Sequence, residues 1–422
     1  MSRRVVGNAA SLISMQAIGI GLPLVTVPYL LRVLGPEHFG VIAFSQAMMA
    51  YFVTLNDYGF NLSATRELAI CRNDRRLKSE LYFSVMTIKI ALCVFSFLVL
   101  CLIIDFIPQF HLHRAVYYAS FLMVVGNTFL PVWFFQGIEK LYWISVVNLI
   151  ANLAFTASVF LLVHSSADYV LAAAIQSGGK LLAGILGIVI LFGSEDMEFR
   201  RPTLAQMRHK LKDGWALFLS QISVSIFLSS VTVVLGFVRG MAEVGYFSAA
   251  NKILSIGQAV MSAIGQSMFP HVCALASRSR DAAIMYLRKC MLVVGGISLV
   301  GGMPMLVFAT SIVRIVMGTQ YLAAVPVLQV MSLIPFICAI NNIYGTQTML
   351  NFDLKREFTR TVMLSGIASF IVLLPLVFWL GAPGSAASAL LFEFLQTAIL
   401  GVILHRRGIY LLTGPSQERA TA

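Results

Sequence analysis

The stretch RNDRRLKSELYFSVMTIKIALCVFSFLVLCLII, residues 72–104, carries the two signals that decide the fold. Its first part is basic, and residues 81–104 are apolar apart from a few polar positions and one charge, Lys89. An apolar run of this length is enough for a helix to cross roughly 30 Å of hydrocarbon. Lysine and arginine beside a span are retained on the cytoplasmic side. The stretch therefore predicts a transmembrane helix that begins in the cytoplasm.

The same pattern recurs along the whole chain and predicts about twelve transmembrane helices. Their runs are continuously apolar, which excludes the alternating pattern of a closed barrel, and an open sheet cannot leave its backbone unpaired in lipid. The predicted spans lie near 11–34, 40–64, 81–104, 115–137, 143–164, 169–193, 214–238, 245–271, 289–310, 323–347, 360–380 and 385–404.

Composition supports an all-α integral membrane protein. Hydrophobic residues make up 59% of the chain and charged residues only 11%, with a mean hydropathy of +0.86. Soluble globular domains do not reach these values. The net charge of +12 comes from loops between spans and has no soluble domain behind it, so it does not indicate nucleic-acid binding.

Basic residues fall overwhelmingly in every second loop. One side of the membrane carries 23 of the 30 lysines and arginines, and the other carries four. This asymmetry predicts that both termini are cytoplasmic. The opening segment with Arg3 and Arg4 resembles a secretory signal, but it has no good cleavage site and continues too long, so the first helix is expected to be retained.

A polar segment near the midpoint predicts two halves. We expect an N-terminal six-helix bundle over 1–193, a cytoplasmic linker over 194–213 and a C-terminal six-helix bundle with its tail over 214–422. A short internal similarity aligns Arg32 and Gly35 with Arg239 and Gly240. Six helices per half give parallel repeats, and transport sites lie where such repeats meet.

Charges inside the predicted spans are candidates for function, because each costs about 2.5–3.5 kcal/mol at a helix centre. Asp57 and Lys89 are predicted at similar depth, as a structural pair or as part of a pathway. Lys180 and Glu393 lie near the middle of the last helix of each half and are candidates for an ion pair that breaks during transport, or Glu393 for proton coupling. Lys252 is close enough to an outer helix end to reach the interface. Arg32 and Arg239 lie at outer helix ends.

These groups comprise five cations and two carboxylates. An interior cavity lined by them would be cationic and would suit an anionic substrate such as a phosphate or diphosphate. The sequence predicts no cofactor and no metal site: His111-x-His113 lacks further ligands, and the six cysteines have no C-x-x-C spacing and are expected to be reduced apolar fillers. There is no nucleotide-binding motif, so an ion gradient, the membrane potential or downstream consumption of product must supply the energy.

Several strings carry a family resemblance that runs in order along the whole chain. The sequence resembles the polysaccharide repeat-unit flippases, the O-antigen transporter type of the multidrug/oligosaccharidyl-lipid/polysaccharide exporter superfamily. The strings are LGPEHFGVIAFSQAMMAYFVTLNDYGFNLSATR (34–66), PVWFFQGIEK (131–140), GWALFLSQISVSIF (214–227), GYFSAANKI (245–253) and YGTQTMLNFDLKREF (344–358).

The resemblance implies a V-shaped pair of six-helix bundles in the bacterial inner membrane. Such a protein moves an undecaprenyl-diphosphate-linked oligosaccharide from the cytoplasmic to the periplasmic leaflet by alternating access. Its implied partners are this lipid, the bilayer, a polysaccharide polymerase, a chain-length regulator, and H⁺ or another coupling ion. We expect head-group contacts from five cations and gating or coupling from Asp57 and Glu393. The five cations are Arg32, Lys89, Lys180, Arg239 and Lys252.

Three alternatives stay open at this stage. A drug/cation antiporter of the same superfamily would prefer acidic or aromatic sites over lysines. A membrane polysaccharide polymerase would be expected to carry a sizeable periplasmic loop, whereas every predicted outer loop is short. A structural scaffold would have little use for buried charges.

Overall fold

The computed structural model describes residues 3–411, with the side chains of residues 21–411 except Pro23, Val224, Leu228, Val260, Ala263 and Pro270. Within this range the chain is helical and contains no strand. The helices are α1 Arg3–Asp57, α2 Phe60–Cys71, α3 Arg75–Phe106, α4 Arg114–Phe129, α5 Val132–Gly137, α6 Tyr142–Leu162, α7 Tyr169–Ser194, α8 Leu204–Arg239, α9 Met241–Arg278, α10 Arg280–Val307, α11 Ala309–Ile312, α12 Val325–Met331, α13 Ile334–Asn342, α14 Lys355–Leu380 and α15 Ala382–Arg406.

The number of membrane crossings agrees with the predicted dozen. Ten segments of the described chain are long and apolar enough to span a membrane, and the bent pair Leu204–Phe227 and Ser229–Arg239 makes an eleventh. One of the ten, Leu24–Cys71, has 48 residues and would measure about 70 Å as one helix, over twice the hydrocarbon thickness of roughly 30 Å. It contains a non-helical residue, Gly35, so it supplies two crossings.

Gly35 and Gly240, which the predicted internal repeat aligns, share one backbone conformation. Gly35 has φ 75° and ψ 171°, and Gly240 has φ 91° and ψ 177°. Only glycine adopts this region readily, and each glycine separates two long helices. At these two glycines the internal similarity is therefore present in the backbone conformation as well as in the sequence.

Contacts divide the chain into two compact units, Met1–Val233 (unit 1) and Val234–Ala422 (unit 2). This boundary lies inside α8, later than the polar segment that suggested a linker. Of residues 194–213, those from Leu204 onward belong to α8. The predicted division into 1–193, 194–213 and 214–422 stays a prediction.

Each unit has its own apolar core. In unit 1, aromatic side chains of α2, α3 and α5 pack together, among them Phe60, Tyr82 and Trp133. In unit 2, Val272, Leu287, Met349 and Leu400 form the corresponding centre. Burying large aromatic and aliphatic groups supplies the packing that holds helices together inside a membrane.

Two glycines bring α4 and α7 into direct backbone contact in unit 1. A Cβ at Gly126 would lie 2.3 Å from the Lys180 carbonyl carbon, and one at Gly184 would lie 2.5 Å from the Gly126 carbonyl oxygen. Small residues of this kind allow membrane helices to approach closely. The contact fixes Lys180 next to residue 126 of α4.

Ion pairs join the predicted basic loops of unit 1 at one end of its helices. Glu195, just after α7, accepts hydrogen bonds from Lys78 at 2.6 Å and from Lys140 at 2.7 Å. Burial raises the pKa of the Glu195 carboxyl, but the hydrogen bonds from Lys140 and Lys78 outweigh burial, so the net pKa lies below its ordinary value. At other helix ends, the His38 ring of α1 stacks on Tyr169 of α7.

Candidate functional site

Asp57 and Lys89 form an ion pair within unit 1. The Lys89 Nζ lies 3.1 Å from Asp57 Oδ1, and the two side chains are 2% and 18% exposed. Asn127 of α4 donates to Asp57 Oδ2 at 3.4 Å, and its carbonyl oxygen accepts from Lys89 at the same distance. The predicted pairing of Asp57 with Lys89 is thus present in the structure.

A second set of polar groups continues this layer across α1, α3 and α4. Asn56 donates to Thr128 Oγ1 at 3.0 Å and accepts from Ser96 Oγ at 3.0 Å, and all three side chains are buried. Polar groups in a membrane interior need such partners because no water replaces them. Sequence analysis missed Asn56, Ser96, Thr128 and Asn127; the adjacent pair Asn56-Asp57 inside an apolar helix is the signal that could have shown the layer.

Lys180 is exposed on the side of α7 opposite to its exposed apolar residues. Leu171 and Val189 are exposed apolar residues of α7, at 40% and 62%. Each lies nine residues from Lys180, which is about two and a half turns, so Lys180 lies on the opposite side of the helix. It makes no ion pair or hydrogen bond with its side chain in the described part of unit 1.

Neutral polar side chains of unit 1 lie on α7 near Lys180 in sequence and on α6. Gln176, one turn earlier on α7, accepts from Gln46 Nε2 at 2.6 Å. On α6, Asn148, Asn152 and Thr156 repeat every four residues and share one half-buried face. Thr156 hydrogen-bonds Thr26 at 3.2 Å. Sequence analysis missed these groups, although amides repeating every four residues in an apolar helix are a readable signal.

Glu393 of α15 has a neutral environment in unit 2. Asn341 Nδ2 donates to Glu393 Oε2 at 2.8 Å, and the Cys338 thiol is in hydrogen-bonding contact with the same carboxyl group. No lysine or arginine of the described part of unit 2 forms an ion pair with it. Because the Cys338 thiol contacts a polar group, its interpretation as an apolar filler was wrong.

The other predicted cations of unit 2 are exposed. Lys252 lies eleven residues after the start of α9, about 16 Å along the helix at 1.5 Å per residue, which is deeper than the predicted boundary near residue 245 implied. Arg239 lies near the turn between α14 and α15: its Nε would be 3.4 Å from a Cβ at Gly381. Glu243 of α9 accepts a hydrogen bond from the Ala382 N–H of that turn at 2.7 Å.

The remaining predicted residues give mixed outcomes. Arg32 is exposed on α1 in unit 1. A pair between Lys180 and Glu393 would join the two units and stays a prediction. His113 Nδ1 lies 3.3 Å from the Tyr169 hydroxyl, and burial together with the nearby His38 lowers the pKa of His113. The described residues contain no group of histidines, cysteines and carboxylates arranged to hold a metal ion.

Comparison with known families and proteins agrees with this membrane architecture. The model of a family described as polysaccharide biosynthesis protein matches residues 5–275. A protein of Escherichia coli (strain K12) whose name assigns it to O-antigen transport is 32% identical over 93% of this chain and 95% of its own length. A protein of Shigella dysenteriae with the same name is 27% identical over 88% of this chain and 93% of its own.

Solved structures with low sequence identity share the fold. The lipid II flippase MurJ, in an inward closed conformation, has a TM-score of 0.75 at 14% identity, covering 93% of this chain and 86% of its own. An inward-facing multidrug resistance MATE family transporter of the MOP superfamily has a TM-score of 0.72 at 14% identity, covering 96% of each chain. The fold is therefore that of the MATE and MurJ transporters.

Proposed function

Because this chain belongs to the polysaccharide biosynthesis protein family, we propose that it is a flippase for lipid-linked oligosaccharides. It moves undecaprenyl-diphosphate-linked repeat units from the cytoplasmic to the periplasmic leaflet of the bacterial inner membrane, for O-antigen or another surface polysaccharide. Both termini are cytoplasmic in this proposal. The names of the relatives from Escherichia coli and Shigella dysenteriae support it, since both refer to O-antigen transport.

The observation that carries the proposal is the position of Lys180. An ammonium group on the side of α7 away from lipid, with no carboxylate beside it in the described part of unit 1, suits an anionic ligand. A diphosphate supplies two or more negative charges, and charge-assisted hydrogen bonds to it are worth about 1.5–3 kcal/mol each. The amides and hydroxyls of α6 and α7 suit sugar hydroxyls, while the polyprenyl tail stays in lipid.

Roles for the other residues follow from their surroundings. Arg32, Arg239 and Lys252 are exposed cations and are proposed as further head-group contacts. Lys89 was also predicted as a head-group contact and Asp57 as a gating or coupling group; both are now better explained as a structural ion pair, since the ammonium group is buried against that carboxylate. Glu393 is proposed as the coupling carboxylate. A polysaccharide polymerase and a chain-length regulator are proposed partners, as consumers of the flipped product.

The test is to delete the gene in its native host and analyse the lipid extract and the surface polysaccharide. We expect single lipid-linked repeat units to accumulate on the cytoplasmic face and surface polymer to be lost. Wild-type protein should restore the polymer, and Lys180→Ala should not, although Lys180→Arg should retain part of the activity.

Other outcomes would contradict the proposal. Unpolymerised single units at the cell surface would indicate a polymerase. An unchanged surface with altered drug sensitivity would indicate the antiporter alternative, which the neutral surroundings of Lys180 do not favour.

A further inference from the structure

The exposed face of α9 differs in chemistry from the exposed faces of the other long helices of unit 2. α10 exposes Leu292 at 76% and Val300 at 71%, and α14 exposes Ile371 and Phe378, both at 67%. Such side chains are typical of helix faces in contact with lipid. In contrast, α9 exposes no large apolar side chain among its described residues.

Polar side chains occupy that exposed face instead. From Lys252 onward they are three, seven and four residues apart, and Asn251 lies four residues before Ser255, so they share one side of the helix. They extend over about 22 Å at 1.5 Å per residue. The opposite side carries buried residues such as Leu254 and Val272. Five of the exposed polar residues of α9, here called the α9 polar face, are Asn251, Lys252, Ser255, Ser262 and Gln266.

The side chains of the α9 polar face can form hydrogen bonds with water or with a polar ligand. Ser255 Oγ donates to the Lys252 carbonyl at 2.7 Å, and Gln266 Nε2 donates to Ser262 Oγ at 3.1 Å. These local bonds keep the helix intact without a ligand, but acceptor oxygens remain unused. Against hydrocarbon, each unsatisfied polar group would cost on the order of 2–7 kcal/mol, so lipid is not the occupant.

A small cavity, lined mostly by apolar side chains with a few polar groups, adjoins this face inside unit 2. Its volume is about 190 Å³, and Ser262 belongs both to its wall and to the α9 polar face. Gln258 and Asn342 contribute further hydrogen-bonding groups to the wall. An ordered water at these polar groups can bridge the protein to a ligand at little cost in affinity.

We infer that the α9 polar face binds the head group of the lipid-linked oligosaccharide in unit 2: Lys252 contacts the diphosphate, and Ser262 with Gln266 hydrogen-bond sugar hydroxyls. This inference rests on the proposed flippase function and adds the residues that recognise the saccharide. Charge complementarity supports this occupant, since the face carries one cation and no carboxylate. Hydroxyl and amide groups at intervals of one or two helical turns match a chain of sugar hydroxyls.

The test compares two ligands in detergent-solubilised protein. One is undecaprenyl diphosphate, and the other is the undecaprenyl-diphosphate-linked oligosaccharide extracted from cells that lack the flippase gene. The variant Ser262→Ala with Gln266→Leu removes two hydrogen-bonding groups, so we expect it to weaken binding of the oligosaccharide lipid about tenfold and to leave the bare diphosphate lipid unchanged. Lys252→Gln should weaken both ligands.

The matched control is Gln329→Leu, the same change at an exposed position of α12, which should alter neither affinity. Gel filtration and thermal unfolding establish that each variant is folded, and Gln266→Ala replaces the double variant if that one aggregates. Equal weakening of both ligands, or no change for either, would overturn the inference. If wild-type protein binds neither lipid, the proposed function itself fails.

Discussion

Asp57 in unit 1 and Glu393 in unit 2 are both carboxyl groups inside membrane-spanning helices, but their neighbours differ. Asp57 has an ammonium group at 3.1 Å, whereas Glu393 has an amide at 2.8 Å and a thiol. Asp57 thus has a counter-charge within hydrogen-bonding distance, whereas the groups that contact Glu393 are neutral. We propose that the first arrangement has a structural role and that the second has a role in coupling.

The largest expected effect tests the structural half of this comparison. Lys89→Ala leaves the half-buried Asp57 without its cation, and removing one partner of a buried pair costs up to about 3–5 kcal/mol. We expect a large drop in the thermal unfolding temperature in detergent and a loss of protein from the membrane. Replacing both groups, Lys89→Met with Asp57→Leu, should recover much of the stability. An unfolding temperature of Lys89→Ala equal to that of wild type would show that the pair is not structural.

Lys180→Ala should act on transport and not on folding. The side chain is exposed and has no described partner in unit 1, so its removal leaves no buried charge. Losing one charge-assisted contact to a diphosphate corresponds to roughly a 10- to 100-fold lower export rate. The measurement is surface polymer per unit of membrane-inserted protein, with abundance determined by immunoblot. A fall in abundance that parallels export would assign Lys180 a structural role.

Glu393→Gln should change stability by less than about 1 kcal/mol, because the amide preserves the shape and can still accept from Asn341. Its expected effect is on coupling: export by the variant should no longer respond to a transmembrane pH gradient. Asp57→Asn is the matched change in unit 1 and should destabilise the protein, since it removes the partner of Lys89. A pH response in Glu393→Gln equal to that of wild type would show that Glu393 takes no part in coupling.

The smallest effect concerns the surface cluster at Glu195. Its hydrogen bonds with Lys140 and Lys78 hold the pKa of this carboxyl below the ordinary value of 4.5. The group therefore adds stability that is complete above that value and is lost as pH falls through the lowered pKa. Thermal unfolding of wild type and Glu195→Gln should differ at pH 7 and converge at strongly acidic pH. A difference that is constant with pH would contradict this assignment.

The sequence predicted the helical class and about twelve spans, and it gave the pairing of Asp57 with Lys89 as one of two alternatives, because apolar length and depth along a helix are local quantities. It also aligned Gly35 with Gly240, whose shared backbone conformation the structure shows. Other features depend on packing between distant segments. The polar layer at Asn56, the thiol contact of Cys338 and the side of α7 on which Lys180 is exposed all require knowing which helix faces are covered.

The most direct test of the account is flipping of the oligosaccharide lipid in proteoliposomes. The lipid is placed in one leaflet, and its appearance in the other is followed with a sugar-modifying enzyme that cannot enter the vesicle. Wild-type protein is expected to move the lipid, Lys180→Ala to be folded but slow, and Glu393→Gln to lose its response to a pH gradient. Equal rates in empty vesicles and in vesicles with wild-type protein would contradict the central claim.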